Sequence, residues 1–416
     1  MNKRVSIIVI ALGNQSLQSS IVFLTLAWYF TNITNSPLVF GSLMAFRYIP
    51  GILLTTLSGI AIDRMNKIPL GLWSSIWHLF SLLLLLVVGW LKIDPSGANY
   101  WIYAGVVIFI GISSAVLTPL ERTLVPILCN PGELKSVNSV ITVVTQVSNL
   151  LGTSAAGILL LTGGFSLSMI VAVILSFFSV LCYIVLLVKV KIPHTSYQNK
   201  SVMTAFKTTV RDLKEQKWIF IAISSAVFTN MSFVMIMDVL LPTLFSDLKI
   251  NGSAALGLCF TAIGAGTLIG AAFTYKFKQI NFNTSIFLYI GSALAAVMGG
   301  NFLDSIVFSL IAFGLFGLLA APITIIFQTT LQEAIPVNIL GSAMGVLSSG
   351  ATIAQPIGVL LGGVLLLKLD GATVLTITCA FSIIAVSIGW WRLRLQQMQS
   401  QDRSEPVIQK VNSPSA

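Results

Sequence analysis

The chain has 416 residues, of which 56% are apolar and 9% charged, against roughly 25% charged in a soluble domain. A soluble protein of this length would divide into two or three domains clothed in Lys, Arg, Asp and Glu, and 23 basic plus 13 acidic residues are too few for that. The composition excludes a soluble globule, and the net charge of +10, placed between long apolar runs, reads as a topology signal rather than a nucleic-acid footprint.

The N-terminal MNKRVSIIVIAL has the basic start of a signal peptide, but its apolar stretch continues to about Phe30 without a small-residue cleavage site. It is read as a retained first span. At about 20 apolar residues per crossing, the chain predicts spans over 5–30, 37–62, 68–91, 100–128, 136–162 and 167–188. After a polar stretch come 218–245, 254–275, 284–303, 305–330, 340–367 and 371–391. Spans 9 and 10 are the least separated, divided by Asp304 and its neighbours alone. The expected fold is an all-α membrane protein with twelve transmembrane helices in two six-helix bundles, residues 1–188 and 218–391. A cytoplasmic linker, 189–217, joins them, and a cytoplasmic tail, 392–416, follows. In the linker Val202, Phe206, Val210 and Leu213 recur at helical spacing, which suits an amphipathic helix lying on membrane lipid.

With the N-terminus in the cytoplasm, Lys92, Lys249 and Lys368 fall outside and Arg47 and Arg122 fall within spans, leaving the other 18 of the 23 basic residues inside. The positive-inside rule then places both termini in the cytoplasm of a multi-pass protein of the inner (plasma) membrane. Sliding the chain on itself by 206 residues pairs Leu134 with Leu340, Ser136 with Ser342, Gly152 with Gly358 and Gly157 with Gly363. The halves look like a duplication, the arrangement of transporters that rock two bundles about a central site.

Catalysis finds no support in the sequence. Cys129, Cys182, Cys259 and Cys379 lie far apart, His78 and His194 are the only histidines, and no Gly-Lys dipeptide exists to build a P-loop. Neither a metal nor another cofactor is expected, the chain does not read as an enzyme, and a gradient must supply the energy.

A charge deep in a span costs about 2.5–3.5 kcal/mol on insertion scales, which singles out Arg47 and Asp238. Arg47 lies about ten residues into span 2 and Asp238 about seven residues from the outer end of span 7. The two are at comparable depth, and in the rocking model of the family whose motifs this chain resembles they suit an outer-gate pair in which a proton taken up by Asp238 loosens the contact. The alternatives are an interfacial carboxylate for Asp238, and for Arg47 a structural bond to backbone carbonyls or an anion site facing a cavity. Asn14 and Gln18, with Thr25 further along and Gln15 beside them, give span 1 one polar face. Asn138, Thr142, Thr145 and Asn149 do the same on span 5, while Asn230 and Gln328 stand in spans 7 and 10. Such residues line a water-filled cavity or bond helix to helix.

Between spans 2 and 3, SGIAIDRMNKIPLG places Gly59, Asp63, Arg64 and Lys67 at a tight turn. This resembles the Gly-x-x-x-Asp-Arg-x-x-[Arg/Lys] loop of the major facilitator superfamily, without the second glycine of that pattern. Pro119, Arg122, Leu124, Val125 and Pro126, spaced Pro-x-x-Arg-x-Leu-Val-Pro, resemble a Pro-x-Arg-x-x-Leu-Val-Pro signature, with the arginine one place later, of a subgroup that holds macrolide-efflux and enterobactin-exporter-like proteins. The Gly-Pro motif of many exporters is imperfect in span 5, and Gln355-Pro356-Ile357-Gly358 in span 11 is the better copy.

The resemblance implies a secondary transporter working by alternating access, most simply a proton-coupled exporter of a small amphipathic drug or an anionic metabolite such as a siderophore. A lysophospholipid or other metabolite permease and a non-transporting sensor are the alternatives. It further implies a monomer, a cavity lined by spans 1, 7 and 10 with Arg47, Asn14, Gln18, Asn230 and Gln328 as substrate contacts, and Asp238 as the proton-coupling group. Gly59, Asp63, Arg64, Lys67, Glu121, Arg122 and Glu333 are gate residues on this reading, with Asp63 and Arg122 as the preferred partners.

Overall fold

The computed structural model describes residues 3–34, 36–93, 95, 97–129, 134–189, 217–246, 248, 251–276, 282–334 and 353–411. Among them the regular structure is helical throughout, as expected where lipid offers the backbone no partner and each segment must satisfy its own amides. Helices α1 (Lys3–Thr34), α2 (Pro37–Arg64), α3 (Lys67–Trp90) and α4 (Tyr100–Leu128) lie where hydropathy predicts spans 1 to 4.

Helix α5 (Leu134–Lys189) runs for 56 residues, but Gly164 interrupts it at φ 65°, ψ −157°. At about 1.5 Å per residue the whole would measure roughly 84 Å, far more than one bilayer. Only glycine adopts that backbone angle without steric cost, so Gly164 is the turn between spans 5 and 6, and α5 is two limbs.

In the second half, α6 (Lys217–Met235) passes through a π-turn (Ile236–Leu240) into the short α7 (Leu241–Ser246), and together they make span 7. Then follow α8 (Gly252–Lys276), α9 (Phe282–Asn301), α10 (Ile306–Ala334), α11 (Ile353–Leu365) and α12 (Gly371–Val411). The gap between α9 and α10 is real and short, residues 302–305. Eight stretches are long and apolar enough to cross a membrane, one of them, Val140–Lys189, long enough to cross twice, and three shorter apolar helices fill the remaining places. That makes twelve crossings in two bundles of six. Helix α12 extends beyond its predicted end at 391 through Val411. The linker residues 190–216 and the opening part of span 11, 340–352, lie outside the described residues.

Within the first half α1 packs on α5, and α4 on α2 and α3; within the second α10 packs on α8 and α9, and α12 on α6 and α9. Between halves two crossings repeat one another. On one, Gly157 of α5 meets Gly257 of α8 backbone to backbone, beside a hydroxyl contact of 2.5 Å between Ser154 and Thr261. On the other, Gly41 of α2 faces the Val359 carbonyl of α11, and Gly363 faces Leu38. All these contacts lie toward the face opposite the N-terminus, here called distal.

The core is divided accordingly. One cluster joins both halves at the distal end, with Phe30, Phe40 and Tyr103 from the first and Phe245, Phe313 and Leu375 from the second. A separate cluster, with Val5, Ile8, Ile68, Leu124 and Tyr183, belongs to the proximal part of the first half alone. The molecule is closed distally. Large apolar side chains such as Trp73, Phe287 and Val188 are exposed around the outside, where lipid solvates them.

Candidate functional site

Pro242 lies four residues after Asp238. It has no N–H to give the Asp238 carbonyl, and its ring crowds that oxygen, so the helix widens there. The Leu241 N–H bonds instead to the Ile236 carbonyl, five residues back. The resulting π-turn, a distortion frequent at functional sites, carries Asp238 at its centre, 7% exposed. From α2 the Tyr48 hydroxyl donates to the Asp238 carboxylate. One hydrogen bond to a buried acid thus crosses the two halves within the closed distal end.

Arg47, beside Tyr48, is half-buried. Its charge stands near enough to act on Asp238, Tyr48 and His78, yet no ion pair within 4 Å joins it to Asp238 among the described residues. The bond goes to Tyr48 because adjacent helical residues point about 100° apart, and only one of the two faces α6.

The polar face of α1 is engaged within the first half. Asn14 donates to the Leu175 carbonyl at 2.7 Å and to Ser179 Oγ at 2.6 Å, both on the second limb of α5. Gln18, 1% exposed, meets His78 Nε2 of α3 at 2.9 Å. His78 Nδ1 lies 2.6 Å from Ser113 Oγ of α4, which donates to the Ile110 carbonyl at 2.8 Å. Donors and acceptors balance if the Gln18 amide donates to Nε2 and Nδ1 carries the ring proton, so His78 sits neutral in a fully used chain. Thr25, also on α1, is buried without a hydrogen-bond partner.

Glu121 is 4% exposed and lies inside the first half, away from the seam between halves. Its Oε1 accepts from the Tyr183 hydroxyl at 3.4 Å, and the Gln15 amide, with its nitrogen turned toward the carboxyl, donates to Oε1 and, at 2.8 Å, to Oε2. Asn230 is half-buried on α6, about two turns before Asp238. Lys67 is the first residue of α3 and half-buried. Gly59, Asp63 and Arg64 belong to α2, Arg122 to α4, and Gln328 and Glu333 to α10, but their side chains lie outside those described.

Tyr48, His78 and Tyr183 are the site residues that sequence reasoning passed over. Neither tyrosine carries a charge to draw the eye. His78 was readable as an ionisable ring about ten residues into an apolar span, and Pro242 as the mark of a distorted helix at Asp238.

This arrangement can hold two bundles together through one ionisable contact, and among the described residues no three His, Cys, Asp or Glu are grouped to hold a metal ion. The chain is 24% identical over 358 residues to BacE of Bacillus amyloliquefaciens, whose name proposes it as a bacilysin exporter, and 84% of each chain is covered. Among solved structures it superposes on the POT family transporter PepTSo with a TM-score of 0.73 at 10% identity, covering 96% of this chain and 99% of that one. A mutant form of the nucleoside transporter NupG gives 0.71 at 14% identity, covering 94% and 100%. The family model described as Major Facilitator Superfamily matches residues 8–347; this chain therefore belongs to that superfamily and is a multi-pass membrane transporter.

Proposed function

We propose that this transporter exports a small amphipathic or anionic molecule by alternating access, in exchange for protons. The observation that carries the reading is the Tyr48 hydrogen bond to Asp238, a single buried carboxylate bridging the halves from a π-turn. Neutralising Asp238 turns a charge-assisted bond into an ordinary one, and the closed distal seam loses about 1 kcal/mol or more relative to the open form. A proton from the distal side thus favours opening there, and its release on the proximal side lets the seam close again.

The distal face is extracellular and both termini are cytoplasmic on this reading, which the excess of basic residues in proximal segments supports. The membrane is the plasma membrane, and the working unit is a monomer in contact with lipid. Residues 1–188 and 218–391 are the two rocking bundles, 189–217 the linker and 392–416 the tail. Arg47, with no carboxylate partner within 4 Å among the described residues, is the group that draws an anionic part of the substrate, helped by Asn14, Gln18, Asn230 and Gln328 as the cavity changes shape. Gly59, Asp63, Arg64, Lys67, Arg122 and Glu333 close the proximal gate in the opposite state.

Similarity to BacE supports the export direction and a secreted small metabolite, the class to which bacilysin and siderophores both belong. The test is mass spectrometry of culture medium from cells with and without the chain, iron-replete and iron-starved, followed by transport of the identified compound in vesicles under a pH gradient. One compound is expected to vanish from the medium without the chain, and Asp238→Asn is expected to abolish its pH-driven transport. Unchanged medium would end the metabolite reading in favour of drug efflux, and intact pH-driven transport by Asp238→Asn would end the coupling role.

A further inference from the structure

Glu121 is 4% exposed on α4, and Leu117 and Leu124, one turn before and after it, belong to the proximal apolar cluster of the first half. Its two partners are both neutral: the Tyr183 hydroxyl at 3.4 Å and the Gln15 amide at 2.8 Å. Among the described residues no Lys, Arg or His comes within 4 Å of the carboxyl. The titratable and charged groups on the elements around it are, among the described side chains, Tyr183, Cys182 and Lys189 on α5, Arg4 and Tyr29 on α1, and Lys67 and His78 on α3, while the side chain of Arg122, next to it on α4, lies outside those described. Arg4 is eleven residues from Gln15, about 16 Å along α1. Lys67 lies a turn before Gly71, against which the Tyr183 ring packs. His78 is held by Gln18 and Ser113.

An anion walled by leucines and met by two neutral donors is poorly compensated, whereas a neutral acid there is satisfied. Gln15 can bond either form, but its far end faces donors, so only with its nitrogen toward the carboxyl are both ends of the amide satisfied. Its N–H end donates to a carboxylate, and its carbonyl end, with the amide turned over, accepts the O–H of the acid. Tyr183 donates to the carboxyl oxygen in either case.

From this geometry we infer that Glu121, positioned by Gln15 and Tyr183, is a proton-binding site buried in the first half and separate from the carboxylate of Asp238. The proton adds to one carboxylate oxygen, an O–H bond forms, and the Gln15 amide turns to accept it. Gln15 and Gln18 lie one turn apart on α1, and Gln18 anchors that helix to His78. Loading Glu121 therefore resets one anchor of the helix that bears the polar face. That link to transport rests on the proton-driven reading above, whereas the proton site itself does not.

The experiment is infrared difference spectroscopy of the purified full-length chain in lipid nanodiscs, titrated from acid to alkaline pH, with the proton as the only ligand. A protonated-carboxyl C=O band is expected that Glu121→Gln loses, Asp238→Asn keeps, and Tyr183→Phe moves to higher frequency by removing a hydrogen bond. A Glu121→Gln spectrum that retains every titrating carboxyl band of the parent would overturn the inference. Where Glu121→Gln does not fold, Tyr183→Phe decides, and an unshifted band overturns it. Failure of proton-driven export would leave the Glu121 band in place, so the two readings fail separately.

Discussion

The two halves share one topology but fasten their helices by different means. In the first half side chains bond to side chains across helices: Gln18 to His78, His78 to Ser113, Asn14 to Ser179, Tyr183 to Glu121. In the second, hydroxyls mostly return to main-chain carbonyls, as Thr378 does to Val374 of its own helix and Ser225 to Ala385 of another. There α8 and α10 approach through glycine, with Gly266, Gly270 and Gly317 each set against a carbonyl of the facing helix. Among the described residues, His78 and Glu121 are buried titratable groups of the first half, and Asp238 is the buried acid of the second. The first half is thus fitted for chemistry that responds to charge, and the second for close, plain packing that presents one carboxylate to its neighbour.

That contrast can be broken most forcefully at the seam. A side chain added at Gly41 meets the Val359 carbonyl at 2.5 Å and the Gly363 backbone beyond. Gly41→Val is expected to cost the distally closed form about 3 kcal/mol, more than a hundredfold in population, read as a rise in thiol labelling from the distal side. Tyr48→Phe removes only the hydroxyl bound to Asp238 and leaves the packing, so its shift in the same assay is smaller, about tenfold or a little more.

Within the halves the comparison predicts unequal sensitivity. His78→Leu leaves the Gln18 amide and the Ser113 hydroxyl without their partner and is expected to lower stability by about 1–3 kcal/mol in thermal melts. Thr378→Val in the second half removes a hydroxyl bonded within its own helix, and a loss under about 1 kcal/mol is expected. Equal losses would show that polar networks matter no more in one half than in the other. The smallest effect belongs to Asp370, whose carboxylate accepts from the Thr373 N–H at 2.9 Å and its hydroxyl at 2.7 Å. These bonds at the start of α12 hold its pKa below the usual value. A depressed carboxyl contributes its capping above the ordinary carboxylate range and loses it as pH falls through the folded value. Asp370→Ala is therefore expected to speed hydrogen exchange of residues 371–374 near neutral pH and to change nothing in strong acid.

Hydropathy made the twelve spans readable because lipid demands an apolar run for each crossing, and even the short break at 302–305 showed as a cluster around Asp304. Asp238 was readable for the same reason, since a charge in such a run stands out. Which neighbour would meet it was not. Arg47 is the more conspicuous residue, but the choice between positions 47 and 48 depends on the rotation of α2 about its axis, and a helix that is apolar nearly all round does not encode that. Glu121 was legible as an ionisable group and not as a buried one, because its burial depends on how the second limb of α5 folds back from Gly164 to bring Tyr183 over it. The polar face of α1 was visible, while its division between α3, α4 and α5 required the packed bundle.

Where α5 crosses α8, Gly157 and Gly257 put peptide against peptide with no side chain between them. At this one point the backbones can roll without unlocking a side chain, while Ser154 against Thr261 and Leu150 against Gly264, one and two turns along the same crossing, hold its register. A swing about this point tilts the helices against the bilayer, so its equilibrium is expected to depend on bilayer thickness as well as on the contacts of the seam.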